Sequence, residues 1–149
     1  MRVMLDTNVF DRLACDAEAV SELENRRDLR LIVSEIQLRQ LSAIPDEDRR
    51  TRYLELASRL CATVSAAAVR PAVQPVVRPD GRPATVSVAT AVPAIPADRH
   101  EPDRLIAAAA AARCDLLVTD DKGLLEYART AGVRTVDWKH FVDRVVFRR

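Results

Sequence analysis

The stretch Arg2-Val3-Met4-Leu5-Asp6-Thr7-Asn8 decides how the rest of the chain is read. A short apolar run begins almost at the first residue and stops at a carboxylate. An unbroken apolar strand, rather than an alternating one, is what burial on both faces requires, and that burial belongs to parallel sheets covered by helices. In open α/β sheets the carboxyl ends of the strands form the edge where ligands bind. Asp6 is therefore either a ligand-binding acid at that edge or a residue that caps the helix after it. The stretch alone leaves both readings open.

Working outward, the sequence alternates strand and helix patterns. Val9 to Cys15 reads as a short helix, and Asp16 can cap a second one with Ala19, Val20 and Leu23 on its apolar face. Leu29-Arg30-Leu31-Ile32-Val33 is a β-branched strand bounded by turn chemistry. Ser34 and Gln37 have capping-box spacing, and the helix they open carries Glu35 in its first turn. Pro45 ends that segment. Asp46 starts a longer amphipathic helix whose apolar positions run from Tyr53 and Leu54 through Leu60 to Cys61 and Val64.

From Ser65 to about Arg99 the texture changes, with six of the eight prolines concentrated there. Helix is excluded through most of it. Pro79-Asp80-Gly81 is a turn signal between apolar, β-branched residues, which predicts a hairpin or a long ordered arm, with disorder as the alternative. Pro102, flanked by Glu101 and Asp103, starts a helix that runs through an alanine-rich stretch to about Arg113. Leu116 to Thr119 is a strand ending at Asp120-Asp121, and the helix after it stops at Gly132. Val133 to Val136 forms a last short strand before a terminal helix.

Composition bounds the function. The 149 residues suit one domain, residues 1–149 with the proline-rich insertion at about 65–99, that buries roughly 70% of its unfolded surface. No apolar run approaches a membrane span and no signal-peptide order is present, so a cytoplasmic protein without a membrane partner is expected. Cys15, Cys61 and Cys114 are far apart and odd in number, which predicts buried reduced thiols rather than disulfides or zinc. Two histidines leave little for His-centred catalysis. The net charge of +1 gives no strong field for nucleic acid. All cations except Lys122 and Lys139 are arginines, which suits phosphate contacts but also fits a simple compositional bias.

Three apolar strands end alike, at Asp6, at Ser34-Glu35 and at Asp120-Asp121. In a parallel sheet these acids share one edge. Asp103, at the start of the helix feeding the later strand, is expected at the opposite edge unless the preceding chain brings that helix round. Crowded carboxylates repel and raise one another's pKa values. A hard divalent cation, Mg²⁺ or Mn²⁺, relieves this through oxygen ligands and carries the waters that hydrolysis needs. Taken singly, each acid also suits a helix cap.

Leu5-Asp6-Thr7-Asn8, Val33-Ser34-Glu35, Pro102-Asp103-Arg104-Leu105-Ile106-Ala107 and Val118-Thr119-Asp120-Asp121, in this order, resemble the motifs of PIN-domain nucleases, specifically the short bacterial VapC-type toxins. The resemblance implies a three-layer α/β/α fold around a mainly parallel sheet of about five strands, with the Asp6 strand central. It implies Asp6, Glu35, Asp103 and Asp121 as metal-binding catalytic acids, Asp120 as an auxiliary acid, and Thr7, Asn8 and Thr119 as supporting hydrogen-bonding groups. Arg39 and Arg104 are candidates for phosphate contacts. It further implies a Mg²⁺- or Mn²⁺-dependent endoribonuclease with an RNA substrate, a cognate antitoxin protein and the option of a homodimer. The 65–99 stretch is longer than such toxins usually carry there.

Rival readings are a non-catalytic PIN-like scaffold for RNA or protein, and a phosphatase with an aspartate nucleophile. The phosphatase commonly needs Asp-x-Asp after the first strand, where this chain has Asn8. With only Gly81, Gly123 and Gly132, no glycine-rich phosphate loop can be written.

Overall fold

The computed structural model describes residues 1–65 and 101–148, and the proposed hairpin around Pro79-Asp80-Gly81 lies outside them. Five strands, β1 (Arg2–Leu5), β2 (Arg30–Ser34), β3 (Cys61–Val64), β4 (Leu116–Val118) and β5 (Thr135–Val136), form one sheet in the order β3-β2-β1-β4-β5. Every pairing is parallel. The Asp6 strand is therefore central, as the resemblance implies. Among the described residues, no helix is long and apolar enough to cross a membrane.

Period-two alternation sorts the strand residues into two cores. Val3, Leu5, Leu31, Val33, Leu116 and Val118 point to one face. Against them pack α1 (Val9–Cys15), α2 (Ala17–Asn25), α4 (Glu47–Leu60) and α7 (Trp138–Phe141), with the π-helical turn Val142–Val146. Met4, Ile32 and Leu117 point to the other face, under α5 (Glu101–Arg113) and α6 (Lys122–Thr130). Both faces are covered, which is why β1 reads as a continuous apolar run. α3 (Glu35–Ser42) sits between the layers, giving Leu38 and Leu41 to the first core and Ile36 to the second.

Local chemistry fixes the helix ends. Asp16 and Asp46 cap α2 and α4 by accepting from the Ala19 and Arg49 N–H groups, each at 2.9 Å. α6 closes with a Schellman motif: Gly132, at φ +79°, donates to the Arg129 carbonyl, and Val133 donates to the Ala128 carbonyl. Only glycine adopts that φ without strain.

Three expectations are corrected. The long helix stops at Leu60, and Cys61–Val64 is strand β3. The apolar spacing of Cys61 and Val64 fits helix as well as strand, and pairing with β2 from Leu31 to Ser34 selects the strand. The last strand covers only Thr135–Val136, because Val133 belongs to the end of α6. Cys15 is exposed rather than buried, since it faces outward from the last turn of α1.

Strand order also creates a crevice. From β1 the chain moves through α1 and α2 to β2 on one side; from β4 it moves through α6 to β5 on the other. Those connections lie on opposite faces of the sheet. The carboxyl ends of β1 and β4 thus flank a topological switch point, the usual place for a ligand in an open α/β sheet.

Candidate functional site

Asp6 sits at that switch point. Its backbone N–H continues the ladder by donating to the Val118 carbonyl at 2.9 Å, and its side chain is buried, with 4% exposure. The carboxylate does not cap α1. The Thr7 N–H donates to Oδ1 at 2.8 Å, and the Thr119 hydroxyl donates to Oδ2 at 2.8 Å across the β1–β4 pair. Asn8 precedes α1 without a side-chain cap. The capping alternative for Asp6 is thereby removed.

Thr119 is a hub. Besides serving Asp6, its fully buried hydroxyl accepts from the Asp121 N–H at 3.0 Å and from Asn8 Nδ2 at 3.3 Å. Asn8 Oδ1 in turn accepts from the Asp120 N–H at 3.2 Å. One hydroxyl therefore ties the ends of β1 and β4 to the start of α6. Thr7 contributes its backbone to this network rather than its side chain.

Gln37 supports the other side. It completes a capping box with Ser34, accepting from the Ser34 N–H at 2.8 Å, while its Nε2 donates to the Leu5 carbonyl at 2.9 Å. This fully buried amide fixes the start of α3, and with it Glu35, against the end of β1. Sequence reasoning found Gln37 only as a helix cap. The signal available was a glutamine at a position that helical spacing turns towards the sheet.

The four acids differ in environment. Burial pushes the Asp6 carboxyl above its ordinary pKa; hydrogen bonds from Thr119, the Thr7 N–H and Gln37 pull it down, and the neighbouring charge of Asp103 pushes it up again. Asp103 is therefore close enough to Asp6 to be felt, against the expectation that it lies at the opposite edge. The reason is geometric. Just after α5, Asp115 Oδ2 accepts from the Arg2 N–H at 2.7 Å, so α5 ends at the amino edge of the sheet. Its 13 residues span about 20 Å, and β4 only about 10 Å, so the helix begins at the carboxyl edge. A helix between parallel strands runs antiparallel to them, and no special path is needed.

Asp121 caps α6: its Oδ1 accepts from the Gly123 N–H at 2.7 Å and the Leu124 N–H at 3.0 Å. Glu35 is exposed at the first position of α3. Asp120 Oδ1 accepts from the Trp138 N–H at 2.9 Å, and its Oδ2 pairs loosely with Arg12 at 3.4 Å, so this acid fastens α7 and α1 to the end of β4. Arg39 is exposed one turn beyond Glu35, and Arg104 is half-buried beside Asp103 in the first turn of α5.

The donor set is oxygen-only and includes a desolvated carboxylate with a second acid nearby, which is the chemistry a hard divalent cation relieves. Among the described residues, no three His, Cys, Asp or Glu side chains come together closely enough to hold an ion. A cleft between α1, α6 and α7 does not include Asp6 in its lining; it adjoins the site at Thr119 and extends towards β5. No family model matches the sequence, and no curated protein matches it closely enough to identify a relative.

Proposed function

We propose that the protein is a PIN-like, Mg²⁺- or Mn²⁺-dependent endoribonuclease, acting as the toxin of a toxin–antitoxin pair. The observation that carries this reading is the Asp6 carboxylate, buried at a switch point and within reach of the charge of Asp103. Its desolvation is costly unless a cation or proton compensates.

Asp6 and Asp103 would hold the cation, with Glu35 and Asp121 at the rim. When bound, such an ion neutralises phosphate charge and lowers the pKa of a coordinated water. Thr119, Thr7 and Gln37 keep the Asp6 carboxylate in one orientation. Glu35, exposed and at the start of α3, would take a proton from the attacking water.

The Asp121 cap and the absence, among the described residues, of a three-acid cluster favour a second reading, a PIN-like scaffold that binds RNA without cutting it. Turnover on a panel of RNAs separates the two. The nuclease reading expects cleavage with Mn²⁺ that stops in excess chelator. Binding without cleavage under the same conditions supports the scaffold.

A further inference from the structure

We infer that the cleft between α1, α6 and α7 is the seat of a single-stranded RNA backbone, which passes from the Asp6 site towards β5. The identity of the polyanion rests on the proposed nuclease reading; the cleft itself does not. Its volume is about 910 Å³, and Thr119 belongs to both the cleft and the Asp6 network. Thr119 lies buried beneath the cleft, so a strand seated there passes over the residue that holds Asp6.

The cations are placed for phosphates. The chain's only two lysines, Lys122 and Lys139, both line this cleft, together with Arg12 and Arg129. Lys122 is the first residue of α6, where the helix dipole disfavours a cation, so helix stability does not account for it. Lysine offers a mobile point charge on a long stem, suited to a phosphate that shifts along a strand. Arg12 is exposed and its pairing with Asp120 is long, at 3.4 Å.

Four acids line the same cleft, and each is already engaged. Asp16 caps α2, and Asp137 caps α7 while pairing with His140. Asp120 holds the Trp138 N–H, and Asp11 accepts from Tyr53 and Arg49. Asp16 and Asp137 also face positive helix ends, which offset part of their charge. Formally the four acids balance the four cations, and Arg12 and Arg129 are themselves partnered by Asp120 and by the Thr135 hydroxyl. The exposed Lys122 and Lys139 are therefore what the cleft offers an anion.

The test uses a short 2′-O-methyl RNA oligonucleotide, which cannot be cut through its 2′-hydroxyl, bound to the full chain in chelator. Three phosphate contacts, from Arg12, Lys122 and Lys139, predict a log affinity against log salt slope of about −2. The variant K122Q/K139Q should bind about tenfold more weakly or worse, and its slope should fall to about −0.7. Cys15, exposed in the wall of the cleft, supplies a second readout. Bound RNA should slow its alkylation in the wild type. Cys61 and Cys114 serve as references, their thiols pushed up by burial to about 12 and about 11.

Loss of binding in K122Q/K139Q together with RNA protection of Cys15 supports the inference, even if the wild type proves unable to cleave; the nuclease reading alone then fails. Metal-dependent cleavage by a K122Q/K139Q protein with unchanged affinity, slope and Cys15 reactivity overturns the inference and leaves the nuclease reading standing. Failure of the wild type to bind the oligonucleotide overturns it as well.

Discussion

The Thr119 hydroxyl donates to Asp6 Oδ2 at 2.8 Å while accepting from the Asp121 N–H at 3.0 Å, so the central strand and the start of α6 share one hydrogen-bonding atom. Replacing Thr119 with Val keeps the shape and leaves buried polar groups short of a partner. That change should destabilise the fold by about 1–3 kcal/mol, as for other unsatisfied buried groups. Thr119→Ser should recover most of the loss in urea unfolding. Equal stability of the Val and Ser variants would contradict the hub.

Asp121 has a structural duty that can be separated from a chemical one. Asp121→Ala removes the α6 cap and should cost about 1 kcal/mol. Asp121→Ser keeps a capping oxygen and should restore stability. Under the proposed function it should still lower metal-dependent cleavage, because a neutral hydroxyl no longer adds negative charge at the rim of the cation site. Full cleavage by the Ser variant would show that Asp121 only caps.

Gln37→Met preserves volume but abandons the Ser34 N–H and the Leu5 carbonyl. A loss of about 1–3 kcal/mol in unfolding free energy is expected. Since Gln37 also lowers the Asp6 pKa, that carboxyl should titrate higher in the variant, as followed by carbon NMR of the side chain. An unmoved Asp6 titration would remove Gln37 from the site.

Stability should depend on pH through two opposed groups of acids. Hydrogen bonds hold Asp11, Asp28, Asp115 and Asp137 below their ordinary values: the Tyr53 hydroxyl on Asp11, Arg26 on Asp28, the Arg2 N–H on Asp115 and the His140 N–H on Asp137. The unfolded chain binds more protons at these sites, so their stabilisation is present above about pH 3.9 and is lost as pH falls through the lower folded values. Asp6 has the opposite sign. Its raised value means the folded state binds the extra proton, so stability declines as pH rises from about 3.9 through the folded value. Urea midpoints against pH should show both limbs, with Asp11→Asn flattening the acid one and Asp6→Asn removing the decline. An identical curve for Asp6→Asn would contradict the burial of its charge.

The strands that carry the site were legible because each is short, apolar and stopped by a polar residue. Asp6, Ser34 and Thr119 follow Met4, Ile32 and Leu117 on the same face, and period two alone places them together once the pairing is known. The edge strand β3 was hidden because Cys61 and Val64 also satisfy a helical spacing, and only its partner β2 distinguishes them. Chain order by itself puts Asp103 at the opposite edge for want of one rule, the antiparallel course of a crossover helix; the resemblance alone groups it with the other acids. Which acids share a cation is not a property of spacing at all. It depends on side-chain direction, and Asp121 illustrates this by turning Oδ1 back onto its own helix.

The most direct test is Mn²⁺ binding to the purified chain, measured by calorimetry for the wild type, Asp6→Asn and Asp103→Asn at one pH. The account predicts saturable binding to the wild type and its loss in both variants, with bound Mn²⁺ stabilising only the wild type, by about 2.7 kcal/mol at a hundredfold excess over Kd. Equal Mn²⁺ binding by the wild type and Asp6→Asn would contradict the assignment of Asp6 as the metal-holding acid.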